Sequence, residues 1–126
     1  MLLASVLFLS LALQASGFIF NTDVVTLTDG TQLKGKREGN VIAFRGIPYA
    51  EAPVGNLRWA PPVSWTNPHF DKTIDASRFG SQCMQEDGGG SEDCLFINVF
   101  VNVNSNLTDA PVGVFIHGGS YTGNLN

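Results

Sequence analysis

The residues best suited to chemistry lie in one glycine turn, His117-Gly118-Gly119-Ser120-Tyr121-Thr122-Gly123. Consecutive glycines let the main chain come close to a ligand and turn its N–H groups outward, because no Cβ blocks either the ligand or the dihedral angles. Such a turn can hold an anion. Fixed donors about 2.7–3.1 Å from a developing negative charge form an oxyanion hole, and losing one of them typically costs 100- to 1000-fold in rate. A phosphate loop is a competing reading, but it needs a Gly-Lys-Ser/Thr ending or dinucleotide glycine spacing, and neither is present. On the glycines alone, a plain tight turn is the favoured reading.

Two further groups bear on chemistry and compartment. Cys83 and Cys94 are the only cysteines, and they enclose a polar, glycine-rich segment, MQEDGGGSED, that could not fold on its own side chains. A disulfide closing this loop is expected, worth about 3 kcal/mol in the chain-entropy picture. Two separate buried thiols are the alternative, while a zinc site lacks a second Cys or His at ligand spacing. No metal and no cofactor is expected. Asn106-Leu107-Thr108 is an N-glycosylation sequon in a polar stretch between apolar runs, and Asn106 reads as a surface position.

Both features need an oxidising compartment, and the first residues supply the route. An apolar run from Leu2 to Leu13 followed by small residues has the pattern of a secretory signal peptide, residues 1–17, cut after Gly17 or after Ala15. The run is shorter than the roughly 20 residues that span a bilayer. Secretion of a mature chain from residue 18 onward is therefore expected. The 126 residues are 44% hydrophobic and 14% charged, the profile of a globular domain, with a net charge of −4 and only 7 Lys and Arg. That balance offers no basic patch for phosphate, so nucleic acid is set aside as a partner.

The elements that must position the turn can be read along the chain. Val24–Leu27, Thr31–Lys34 and Val41–Phe44 are β-prone runs separated by the turn dipeptides Asp29-Gly30 and Gly39-Asn40, which predicts a small antiparallel meander of peripheral strands. From Gly46 to Pro68 come five of the 6 prolines and both tryptophans, predicting an ordered loop pinned by Tyr49, Trp59 and Trp65. Leu95–Val101 and Val112–Ile116 are almost continuously apolar and read as strands buried on both faces. The second runs straight into the glycine turn, where open α/β sheets place ligand-binding backbone.

Four segments in this order resemble the carboxylesterase type B and cholinesterase family. They are Phe44-Arg45-Gly46-Ile47-Pro48-Tyr49-Ala50, Ala52-Pro53-Val54-Gly55-Asn56-Leu57-Arg58-Trp59, Glu92-Asp93-Cys94-Leu95-Phe96-Ile97-Asn98-Val99, and the turn His117–Ser120. The resemblance implies an α/β-hydrolase fold, here its N-terminal part, with residues 18–126 as a truncated carboxylesterase type B domain holding the meander and the first strands of the central sheet. It implies a carboxylic ester hydrolase acting on a small-molecule ester. The oxyanion donors would be the backbone N–H groups of Gly119 and Ser120, with Gly118 supporting the turn. His117 would be a scaffold residue and His69 a loop residue. Arg58 and Glu92 would form a buried ion pair tying the proline-rich loop to the disulfide loop, and removing one partner of such a pair costs about 3–5 kcal/mol.

Family members carry a serine in a G-x-S-x-G elbow together with an acid and a histidine. No such string occurs here, and Ser120 lacks the second flanking glycine. The triad is expected beyond Asn126, which leaves these residues inactive alone and prone to aggregate. The Gly-Gly-Ser-Tyr string is also similar to that of the neuroligins, which share the fold without catalysis. A non-catalytic adhesion protein with a protein partner is thus the alternative.

Overall fold

A computed structural model of the protein describes residues 22–67, 73–104 and 110–119. The signal-peptide run, His69, Asn106 and Ser120 lie outside the described residues.

Two three-stranded sheets form. In the first, β1 (Val24–Thr26) pairs antiparallel with β2 (Gln32–Lys34), and β2 pairs parallel with β5 (Thr73–Asp75), giving the order β1-β2-β5. In the second, β4 (Val41–Pro48) lies between β3 (Lys36–Glu38) and β6 (Phe96–Asn102), antiparallel to both. The expected meander is therefore split. One residue, Gly35, separates β2 from β3 and carries the chain between sheets, with its N–H donating to Asp23 O at 2.6 Å. A Cβ at Gly35 would lie 2.8 Å from Phe44 Cδ1 and 2.9 Å from Ala43 O, so the crossing has room only for glycine.

The core is Leu33, Ile42, Phe44 and Ala76, with Val25, Ile47, Ile74, Val101 and Val103 packed against it. Each large side chain so buried stabilises by roughly 1.5–3 kcal/mol. In β2 the order Gln-Leu-Lys alternates exposed, buried, exposed, as the two-residue strand period requires. The early strands are thus the core of this chain and not its periphery. Their interleaved polar residues mark one solvated face, while Leu33, Ile42 and Phe44 point inward. Beneath them the buried Thr31 gives its N–H and hydroxyl to the two oxygens of Asp29 and accepts from Asn67 Nδ2 at 3.3 Å.

Two expectations are corrected. In β6, Ile97, Val99 and Phe100 are exposed, and of its apolar residues only Phe96 and Val101 are half-buried, Val101 against the core. Val112–Ile116 forms no strand pairing among the described residues, and Phe115 is 89% exposed. An apolar run records what a strand must bury, and here nothing described lies over it. The proline-rich segment also differs in detail. β4 runs through Gly46–Pro48, a 3-10 turn forms at Gly55–Leu57, and of the three aromatic anchors only Trp65 is half-buried, while Trp59 is 90% exposed. The loop is held by Glu51 instead. Its N–H donates to Val63 O at 2.9 Å, and its carboxylate accepts from Thr66 N at 3.0 Å.

Candidate functional site

The first and third of the four family-like segments meet on β4 and β6, and the second follows in the loop after β4. Along this pair Phe44 faces Val99 but Ile47 faces Ile97, so β4 carries one extra residue, a bulge at Arg45-Gly46. Gly46 takes φ +64°, a conformation that side-chain-bearing residues rarely adopt. A Cβ there would sit 2.7 Å from Arg78 O and 2.9 Å from Gly80 N. Its N–H donates to Asn98 Oδ1 at 2.9 Å, so the first segment is tied directly to the third. Tyr49 N donates to Leu95 O at 3.2 Å and extends the contact.

The bulge also turns Arg45 into a clamp. Its main-chain N–H donates to Ala76 O at 2.7 Å, and its guanidinium forms a fork with Glu38, Nη1 to Oε1 at 3.0 Å and Nη2 to Oε2 at 2.6 Å. The guanidinium carbon lies 5.0 Å from the Phe79 ring centre and 5.5 Å from that of Phe100, within cation–π range. The hydrogen bonds from Arg45 hold the Glu38 carboxyl below its ordinary value of 4.5, and Glu38 in turn raises Arg45 above its own. The sequence flagged Arg45 only as part of a string. Its partner was findable from strand parity, since Glu38 faces Val41, and Val41, Ala43 and Arg45 alternate onto one face.

The second segment reaches the third through Arg58, whose Nε lies 2.6 Å from Glu92 Oε1. The side chains keep 57% and 38% of their exposure, so the pair sits at the surface here and not in the buried setting the resemblance implied. The Arg58 guanidinium also lies 5.3 Å from the Trp59 ring centre. Glu92 is presented by the loop that the Cys83–Cys94 disulfide closes. Tyr49, Pro53, Leu57, Pro61, Val63 and Leu95 line an open apolar cleft of about 310 Å³ beside this junction.

The fourth segment stands apart. Gly119 takes φ +128°, which a glycine is needed to hold. His117 Nδ1 lies 2.9 Å from Gly118 O, where it donates in the Nδ1–H tautomer, and among the described residues nothing approaches the open side of Gly118 within 4 Å. Of the expected oxyanion donors, Gly119 is described and Ser120 is not.

A family model described as "Carboxylesterase family" matches residues 21–125. The chain is 37% identical over 106 residues to Esterase-5B of Drosophila persimilis, covering 78% of this chain and 19% of that protein. It is 35% identical over 113 residues to para-nitrobenzyl esterase of Bacillus subtilis (strain 168), covering 79% of this chain and 22% of that protein. A solved thermophilic para-nitrobenzyl (PNB) esterase superposes with a TM-score of 0.67 at 34% identity, over 79% of this chain and 22% of that one. The chain thus spans about a fifth of the length of these relatives. Its two sheets are a sheet-rich part of the α/β-hydrolase fold. With all four segments inside the matched range, the chain belongs to the carboxylesterase family.

Proposed function

We propose that this chain is the N-terminal part of a secreted carboxylic ester hydrolase and that it supplies two donors of the oxyanion hole, the backbone N–H groups of Gly119 and Ser120, with Gly118 supporting the turn. The observation that carries the reading is the family match, whose bounds, residues 21–125, take in the glycine turn. The positive φ of Gly119 supports it, because it turns the backbone in a way a side chain would oppose. The serine, acid and histidine of the triad come from residues beyond Asn126. The serine attacks the carbonyl of a small-molecule ester, the histidine takes its proton, and the donors at 119 and 120 stabilise the oxyanion that forms. Residues 1–17 act as a removed signal peptide and Asn106 carries a glycan. The closed disulfide supports this compartment.

The test uses the protein translated from the complete reading frame and a p-nitrophenyl ester. A backbone donor makes the Ser120 side chain dispensable, so Ser120→Ala keeps activity within a few-fold. Ser120→Pro, which removes the N–H, loses roughly 100- to 1000-fold in kcat. Equal losses in both variants would overturn the oxyanion assignment, and no ester hydrolysis by the complete protein would overturn the whole reading.

A further inference from the structure

We propose that Asp87-Gly88, in the disulfide-closed loop, is a site of spontaneous backbone isomerisation to isoaspartate, and that the chain's other Asp-Gly pair, Asp29-Gly30, is protected by its hydrogen bonds. The two pairs sit in matching turns. Gly30 N donates to Leu27 O at 3.0 Å and Gly88 N donates to Gln85 O at 3.0 Å, so each aspartate is the third residue of a four-residue turn and each glycine the fourth. The glycine φ values are +87° and +81°, among the described residues no atom lies within 4 Å of where either Cβ would stand, and both aspartates are exposed.

The carboxylates differ. Both oxygens of Asp29 are engaged, Oδ1 by Thr31 N at 2.9 Å and Oδ2 by Thr31 Oγ1 at 3.1 Å. Thr31 is fully buried and also bonded by Asn67, so it cannot follow the carboxylate outward. Asp87 has one such bond, from Gly89 N to Oδ1 at 2.9 Å, and its donor is a glycine in a polar loop. Among the described residues nothing holds Asp87 Oδ2.

The chemistry requires the side-chain carboxyl carbon to swing onto the following nitrogen. Gly88 N forms a bond to Asp87 Cγ and gives up its proton, the protonated carboxyl loses its hydroxyl as water, and a five-membered succinimide closes. Water then adds at one of the two ring carbonyls. Addition at Cγ restores aspartate. Addition at the main-chain carbonyl breaks its bond to Gly88 N and leaves the chain running through Cβ and Cγ, one atom longer. Water lost in the first step returns in the second, so no oxidant or other reactant is needed. At Asp87 the swing breaks one hydrogen bond to a loop glycine; at Asp29 it must break two to a core residue. The lengthened backbone falls inside the turn braced by Gln85 N donating to Gly89 O at 2.9 Å.

The test is to age the intact, disulfide-closed protein at mildly acidic pH, digest it, and quantify isoaspartate at each position by isoaspartyl methylation and mass spectrometry. Isoaspartate at 87 is expected to exceed that at 29 several-fold in the native protein. In the urea-unfolded chain, where the turns are gone, the two rates should converge. Thr31→Val, which removes the hydroxyl bond, should raise the rate at 29. Equal accumulation at both positions in the native protein would overturn the proposal. A native preference for 87 that persists undiminished in urea would overturn it too, since it would then belong to flanking sequence and not to the fold.

Discussion

Replacing Gly46 by alanine tests whether the β4 bulge is what docks the family-like segments on one another. Two costs add. Holding a side-chain-bearing residue at φ +64° costs about 1–2 kcal/mol. The new Cβ would also stand 2.7 Å from Arg78 O and 2.9 Å from Gly80 N, both backbone atoms that cannot rotate aside, and relieving such overpacking costs about 1–3 kcal/mol. The expected loss is about 2–5 kcal/mol, a large share of the roughly 5–15 kcal/mol that stabilises a typical fold. Gly39→Ala is the internal control, since Gly39 has φ +60° but nothing within 4 Å of its Cβ position, so only the conformational cost applies. The assay is urea unfolding of the complete protein followed by tryptophan fluorescence, read as a shift in midpoint at constant slope. If the two variants lose the same stability, the close approach of residues 78–80 is not what demands glycine at 46, and the reasoning fails.

Two other outcomes follow from the ionic contacts. Glu92→Gln is expected to cost at most about 1 kcal/mol, and less as salt is added, because Arg58 and Glu92 are paired at the surface. A salt-independent loss of 3–5 kcal/mol, measured by denaturant unfolding, would instead place the pair in a buried setting. The Glu38 carboxyl is held below 4.5 in the folded state by Arg45, so its contribution is fully present above 4.5 and disappears as pH falls through the lowered folded value. Thermal unfolding across acidic pH should therefore show a loss that Glu38→Gln removes, and an unchanged acid limb in that variant would refute the linkage.

What the sequence disclosed depends on how far each constraint reaches along the chain. Gly30 and Gly39 end short runs, and their turns were legible because a turn is decided by three or four neighbouring residues. The cysteine loop was legible for a related reason, since with two cysteines in the chain each has only the other as a partner. β5 was missed because Thr73–Asp75 is three residues long, too short for any period, and its parallel partner lies some forty positions away in β2. The division into two sheets was invisible for the same reason. It hangs on Gly35, whose need for glycine comes from Phe44 and Ala43 across the interface and not from its neighbours. The site divides likewise. The strings around Gly46, Arg58 and Glu92 were visible as strings, whereas the clamp of Glu38, Phe79 and Phe100 on Arg45 draws on four separate stretches of chain.

The apolar run before the glycine turn leads to the last prediction. Val112, Val114, Phe115 and Ile116 are all largely exposed, and Ile97, Val99 and Phe100 of β6 are exposed as well. Soluble proteins seldom leave this much apolar surface open without a partner for it. β6 adds an edge whose main-chain groups have no ladder partner among the described residues, and an uncharged apolar edge is a template for pairing with another chain. The 126-residue chain made by itself should therefore self-associate, seen as large species by light scattering. A charge placed in the run, Phe115→Lys, should reduce that association, whereas Lys36→Glu on the solvated β3 should not. A monodisperse 126-residue monomer would refute the argument, because it would mean these side chains find cover within the chain itself.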